Sequence, residues 1–117
     1  MFMAKFWLDR PPLYVHHLAR NEAFKGERFA TVDEGDEMTV ISPDTGPKAN
    51  GPYACLTMGP FELSLVGILA QASAALAGAG IPVFVISTYR YDHILVPLDR
   101  QEEAVKALMK DGFERKG

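Results

Sequence analysis

From residue 63 to residue 89 the chain carries no charged side chain. A stretch of that length belongs either in a membrane or in a protein core, and its punctuation decides which. Gly78, Gly80 and Pro82 divide it, and Ser64, Gln71, Ser73 and Ser87 interrupt it. A spanning helix needs about 20 mainly apolar residues in one run, so no membrane span is expected. The stretch reads instead as a helix followed by a strand. Leu65, Leu69, Ala72, Leu76 and Ala79 step by four and three and share one helical face. With Ser64 as candidate N-cap and Gly80 as candidate C-cap, this spacing predicts a helix over 65–79. Residues 81–86 are apolar and rich in β-branched side chains, which predicts a buried strand. The helix shows only Ala, Ser, Gln and Gly on its outer face, where a surface helix normally presents polar residues. A second contact is therefore expected, with the first half of the chain or with another subunit, and we expect at least a dimer.

The neighbouring elements follow the same logic. Residues 53–58 predict a strand, closed by Gly59-Pro60. Residues 87–91 turn the chain into a strand over 92–96. Asp99 opens a second helix, with Glu102 three residues on in a capping-box pattern. Ala104, Val105 and Leu108 form its inner face, Gly112 ends it, and residues 113–115 supply a last edge strand. The order β-α-β-β-α-β is the ferredoxin-like pattern. In it we expect the first and third strands as the central antiparallel pair, with the second strand beside the first.

The first half is sparser. Pro11 and Pro12 exclude a helix interior or central strand before residue 14. Residues 14–18, 29–32 and 38–41 predict strands, and 33–37 a hairpin loop turning at Gly35. Residues 20–28 are charged and allow at most a short helix, with Ala19, Ala23 and Phe24 at helical spacing. Pro43, Gly46, Pro47, Gly51 and Pro52 mark residues 42–52 as a linker. The fold class expected is α+β: a ferredoxin-like βαββαβ unit over 51–117, preceded by a truncated β(α)ββ half over 1–50.

Most chemistries find no foothold. The 15 acids and 12 bases give a net charge of -3 without a Lys/Arg cluster, which argues against nucleic acid. One cysteine permits no internal disulfide and fits a reducing compartment. Residues 1–8 hold Lys5 and lack the apolar core of roughly 7–15 residues that marks a signal peptide, so the expected location is cytoplasmic. His16 and His17 are adjacent and point to opposite faces of a strand. His93 stands alone, so no metal site is assigned. Cys55, mid-strand, reads as a buried structural thiol. Residues 78–81 are a helix end entering a strand, the wrong order for a dinucleotide fingerprint. Asp33, Glu34, Asp36 and Glu37 read as a solvated turn, since their spacing matches no calcium loop. Phe6 and Trp7 are read as ties between the terminus and the core. No catalytic residue and no cofactor is assigned.

One resemblance is specific. The string from Gly59-Pro60-Phe61-Glu62-Leu63-Ser64 into Leu65-Val66-Gly67, followed by Ile86-Ser87-Thr88-Tyr89 and Asp92-His93-Ile94-Leu95-Val96, resembles the aspartate-kinase-type ACT domain. It is similar, more narrowly, to small bacterial proteins related to the ACT domains of the eukaryotic cytosolic arginine sensor, in which 29–43 resembles a degenerate first repeat. The resemblance implies regulatory binding of a small molecule, usually an amino acid. It places the ligand at the loop after the first strand and the end of the second, where two ACT units often meet. Carried onto this chain, the candidate ligand-binding residues are Gly59, Pro60, Phe61, Glu62, Leu63, Ser64, Ser87, Thr88, Tyr89 and Asp92. A helix N-terminus offers unpaired N–H groups and a positive dipole end to a carboxylate, and Asp92 or Glu62 suits an ammonium or guanidinium. The plainer assignment has Glu62 and Ser64 capping the helix and Thr88 and Asp92 shaping a hairpin. The chain departs from the family pattern between Thr88 and Asp92, where Arg90 and Tyr91 replace a frequent second acid, and at His93, which replaces an aromatic. These changes argue against a cationic ligand. The alternative function is a structural or partner-binding ACT unit that no longer binds a ligand.

Overall fold

The structure, a computed structural model, describes residues 4–62 and 64–117. The candidate ligand-binding residue Leu63 lies outside the described residues. Among these the chain forms β1 (Lys5–Trp7), β2 (Leu13–Ala19), β3 (Ala30–Asp33), β4 (Glu37–Ser42), β5 (Ala49–Met58), α1 (Ile68–Gly78), β6 (Phe84–Ser87), β7 (Asp92–Pro97), a 3₁₀ turn (Leu98–Arg100), α2 (Gln101–Lys110) and β8 (Glu114–Arg115).

One sheet contains all eight strands, and β5 organises it. Successive side chains of a strand face opposite ways, and β5 and β7 use both faces. Ala54, Leu56 and Met58, with Ile94 and Val96 of β7, point toward the helices. There they meet Ala72 and Leu76 of α1 and Ala104, Val105 and Leu108 of α2. Leu56, Met58, Leu76, Ile94 and Leu108 have no exposed area, and burying each such side chain contributes about 1.5–3 kcal/mol. Cys55 and Leu95 point the other way, into a smaller cluster with Leu13 and Ile41, flanked by Phe29 and Ile86.

The βαββαβ order holds, with β5 and β7 as the central antiparallel pair. The expected neighbour of the first strand is corrected: β6 pairs with β7, Phe84 opposite Leu95 and Ser87 opposite Asp92, and not with β5. The crossover through α1 brings β6 parallel to β5 with room for one strand between them, and the hairpin puts β7 there. The place beside β5 is taken instead by β1, which the sequence reading missed, and the last strand, β8, pairs with β1 at the edge. Phe6 lies opposite Met58 in the antiparallel β1–β5 pair, and opposite Arg115 in the parallel β1–β8 pair. Phe6, fully buried, and Trp7 thus tie down the terminus as strand residues.

Several boundaries differ for physical reasons. α1 starts at Ile68 and not at residue 65, because Gly67 sits at φ 93° in the left-handed region and ends the helical path. Leu65 N–H instead donates to the Glu62 carbonyl across a turn (3.0 Å). Ser64 is therefore not the N-cap. Gly80 does close α1: its N–H bonds the Ala77 carbonyl and Ile81 N–H bonds the Leu76 carbonyl, the Schellman pattern. At α2 the Asp99 capping box is absent, since Asp99 lies in the 3₁₀ turn and no side chain caps the helix. The strand expected over 81–86 is the short edge strand β6, with Val83 and Phe84 partly exposed. Residues 20–28 form no helix. The linker is shorter than expected because Ala49–Met58 is all strand. Gly51 and Pro52 sit in a bulge opposite the Leu13/Val15 register shift, where a Cβ on Gly51 would approach the Leu13 carbonyl to 3.0 Å. The turn at Gly35 is as read, and its N–H donates to Asp33 Oδ1 (2.7 Å).

Candidate functional site

The register of the sheet brings the two candidate segments together. Met58 ends β5 opposite Asp92, which begins β7, so the loop after β5 and the β6–β7 turn meet at one rim. Phe61 N–H donates to the Arg90 carbonyl (2.7 Å) and links the two. Gly59 makes that approach feasible: at φ 133° it faces the turn so closely that a Cβ would lie 2.6 Å from the Arg90 carbonyl oxygen. Its missing side chain makes room for the turn and not for a ligand. The turn is braced internally. Thr88 N–H bonds the Tyr91 carbonyl (2.8 Å), the Thr88 hydroxyl accepts from Tyr91 N–H (3.2 Å), and the Ser87 hydroxyl donates to Asp92 Oδ1 (2.6 Å).

Between the two segments lies a groove of about 250 Å³. Of the candidates, Phe61, Glu62, Ser87, Thr88, Tyr89 and Asp92 line it. Pro60 and Ser64 border a shallower recess on its outer side. The sequence reading missed Leu65, Gly67, Ile68 and Leu69, which form the apolar and helix-start wall, and Arg90 and Tyr91 on the turn. In the sequence Leu65 and Leu69 read as packing residues of the helical face, and Ile68 carries no role. Arg90 was visible only as a departure from a family pattern. The groove carries Glu62, Arg90 and Asp92, and none of them is in an ion pair among the described residues. The first turn of α1 has no side-chain cap and no acid, so its N–H groups and positive dipole end face this rim.

A second cluster lies on the sheet face away from the helices. His93 Nδ1 is 3.0 Å from Thr57 Oγ1 and 3.9 Å from Cys55 Sγ, with the edge of Phe29 against the ring. All three polar residues are buried. Burial pushes the Cys55 thiol up and, with Arg10 nearby, pushes His93 down. Both groups are thereby held neutral, the opposite of the thiolate–imidazolium pair a nucleophile requires. The contact sits in the core, not in an open cleft. His16 is also buried and donates from Nε2 to the Asp44 carbonyl (2.7 Å), while His17 pairs with Glu37 at the surface. Among the described residues no three His, Cys, Asp or Glu side chains are grouped to hold a metal, and no helix is long and apolar enough to cross a membrane.

Residues 50–110, just over half of the 117, match the family model of the ACT domain. Two solved structures share the fold. One is a protein from Agobacterium tumefaciens, 23% identical, with a TM-score of 0.83 over 99% of this chain and 94% of that one. The other is a protein of unknown function from Vibrio cholerae, described as a possible transport protein. It is 22% identical, with a TM-score of 0.76 over 93% of this chain and 90% of that one. At these identities the likeness speaks to the fold alone.

Proposed function

Because the chain belongs to the ACT domain family, whose members are regulatory ligand-binding modules, we propose that it binds an amino acid and regulates another protein without chemistry of its own. We place it with the aspartate-kinase-type ACT domains and the relatives of the arginine sensor, with residues 1–50 as a degenerate half and 51–117 as the ACT unit. The observation that carries the reading is the groove between the Gly59–Gly67 loop and the β6–β7 turn, which combines apolar walls with charges left unpaired. The uncapped start of α1 receives the carboxylate, and Asp92 receives the ammonium. A charge-assisted hydrogen bond contributes about 1.5–3 kcal/mol, which suffices for specific recognition of a small zwitterion. The protein acts in the cytoplasm and as a dimer or larger assembly, in which the uncharged α1 meets a second surface. Sedimentation at micromolar concentration that finds only a 12.9 kDa species refutes the assembly.

The test of the ligand is a thermal-shift screen against the twenty amino acids, since a ligand bound only by the native state raises its melting temperature. A shift with one or a few of them supports the reading. A flat response favours the second reading, a structural or partner-binding unit. That reading draws on the Ser87–Asp92 hydrogen bond, which already gives Asp92 a role in the turn.

A further inference from the structure

Arg90 combines two properties that rarely coincide on a surface turn. Its backbone is fixed: the carbonyl accepts from Phe61 N–H at 2.7 Å, and Gly59 packs against it with no space for a Cβ. Its guanidinium is unclaimed by any acid among the described residues and makes only a ring contact, 5.9 Å from the centroid of Tyr89. Tyr89 is itself 71% exposed, so this pair stands at the mouth of the groove and not in a packed interior. Arg20 bonds Asp33 and the Gly35 carbonyl, and Arg100 bonds Glu103 and the Ala79 and Gly80 carbonyls; Arg10, at the bend before Pro11, has like Arg90 only a ring contact, 4.4 Å from the centroid of Phe29, but stands away from this groove. A planar guanidinium on a rooted backbone, with its donors free, matches a carboxylate in two-pronged geometry.

We propose that Arg90 is the specificity residue of the groove: it grips the ligand's carboxylate jointly with the N–H groups at the start of α1, and the groove selects molecules with a free carboxylate and an uncharged, apolar body. The apolar half of the assignment comes from Leu65, Ile68 and Leu69 on one wall and Tyr91 on the other; with Asp92 on the ammonium, Glu62 is the one acid of the lining left to a charged side chain. A cationic body meets Arg90 with like charge, and a second carboxylate meets Glu62 and Asp92 with like charge. This inference rests on the reading of the groove as the ligand site.

The experiment is calorimetric titration of the native protein with L-leucine, L-phenylalanine, L-leucinamide, L-arginine and L-glutamate, repeated on Arg90→Gln and Arg90→Lys variants whose folding is checked by circular dichroism. Leucine or phenylalanine is expected to bind. Leucinamide, which lacks the carboxylate, should bind roughly 10- to 100-fold more weakly. Arg90→Gln should weaken leucine by a similar factor and erase the difference between leucine and leucinamide, with Arg90→Lys falling between. Equal binding of leucine and leucinamide by the native protein, or unchanged leucine affinity in Arg90→Gln, overturns the role of Arg90. Tightest binding of arginine or glutamate overturns the apolar selectivity. If no amino acid in the full set of twenty binds the native protein, the ligand-site reading itself fails, an outcome distinct from the other two.

Discussion

The two halves of the sheet repeat one arrangement and differ in what they do with its rim. In the first, β3-β4-β2 lie side by side; in the second, β6-β7-β5 do, in the same sequence of first, second and third strand. Ala19 ends β2 opposite Glu37 as Met58 ends β5 opposite Asp92. The residue that follows is Arg20 in one half and Gly59 in the other. Arg20 folds back onto Asp33 and the Gly35 carbonyl, Glu37 takes His17, and Glu22 takes Lys48 at 2.7 Å. The first rim thus pairs Asp33, Glu37 and Glu22 with bases of its own, and leaves Glu34 and Asp36, at the tip of its turn, in solvent. At the second rim Gly59 has no side chain to fold back, and Glu62 and Arg90 stay without an opposite partner among the described residues. The same topology leaves a groove with unpaired Glu62 and Arg90 at one rim, and a rim tied by its own ion pairs at the other.

Four experiments bear on this contrast. The largest effect should come from the helix that only the second half possesses. Leu76→Ala removes a fully buried side chain from beneath α1 and should cost about 2–5 kcal/mol. Phe24→Ala, in the coil that covers His16 in the first half, should cost less. Urea denaturation compares them, and a larger loss for Phe24→Ala would mean that the helixless half is the stronger core. Next come the two rim positions. Gly59→Ala forces a side chain into a left-handed conformation against the Arg90 carbonyl, at a cost of about 1–3 kcal/mol. Arg20→Ala breaks an exposed ion pair with Asp33 and an exposed hydrogen bond to the Gly35 carbonyl and should cost less, within about 1 kcal/mol. Similar losses at both would erase the distinction.

The third experiment concerns ligand affinity. Asp92→Asn should weaken the stabilising amino acid about 10- to 100-fold, whereas Glu37→Gln at the matching register should leave it unchanged. Unaltered affinity in Asp92→Asn rules out its role with the amine. The smallest effect is on pH dependence. Burial holds the His93 pKa below the ordinary 6.5. Above that value folded and unfolded chains are both neutral at this site. As the pH falls below it the unfolded chain takes up the proton first, so stability drops until His93 protonates in the fold, then levels. Urea midpoints measured from pH 8 to pH 5 should decline more in the native protein than in a His93→Gln variant; parallel curves would remove His93 as the cause.

The sequence disclosed the second half well because its signals are long. The helical period from Leu69 to Leu76 spans two turns with one consistent face, and the near-continuous apolar runs in 53–58 and 92–96 each span several residues. Shorter signals failed. β1 is three residues, too few to show a period, and its place depends on β5 and β8, far along the chain. The apolar run before Ser87 was read as buried because apolarity does not reveal whether a strand has one neighbour or two. Gly51-Pro52 reads as loop chemistry, and only the pairing with β2 turns it into a bulge. At the groove, the candidate residues were named from a resemblance and most of them line it. Arg90 was not, because what sets it apart is the absence of a partner in space, which adjacent letters do not record.

The position of β1 has a consequence for how such a chain is inherited. Glu114 N–H bonds the Ala4 carbonyl and Lys116 N–H the Phe6 carbonyl, so the beginning of the chain is the seam that joins its end to the middle. A genetic exchange with its breakpoint near residue 50 would transplant the later half without Phe6, opening a hole in its core and stripping β8 of its hydrogen-bonded neighbour. A side chain of that size lost from a core costs about 3–5 kcal/mol, a large fraction of what holds a small domain together. An exchange that splits the halves therefore carries a stability penalty, and the two rims are coupled through one three-stranded seam.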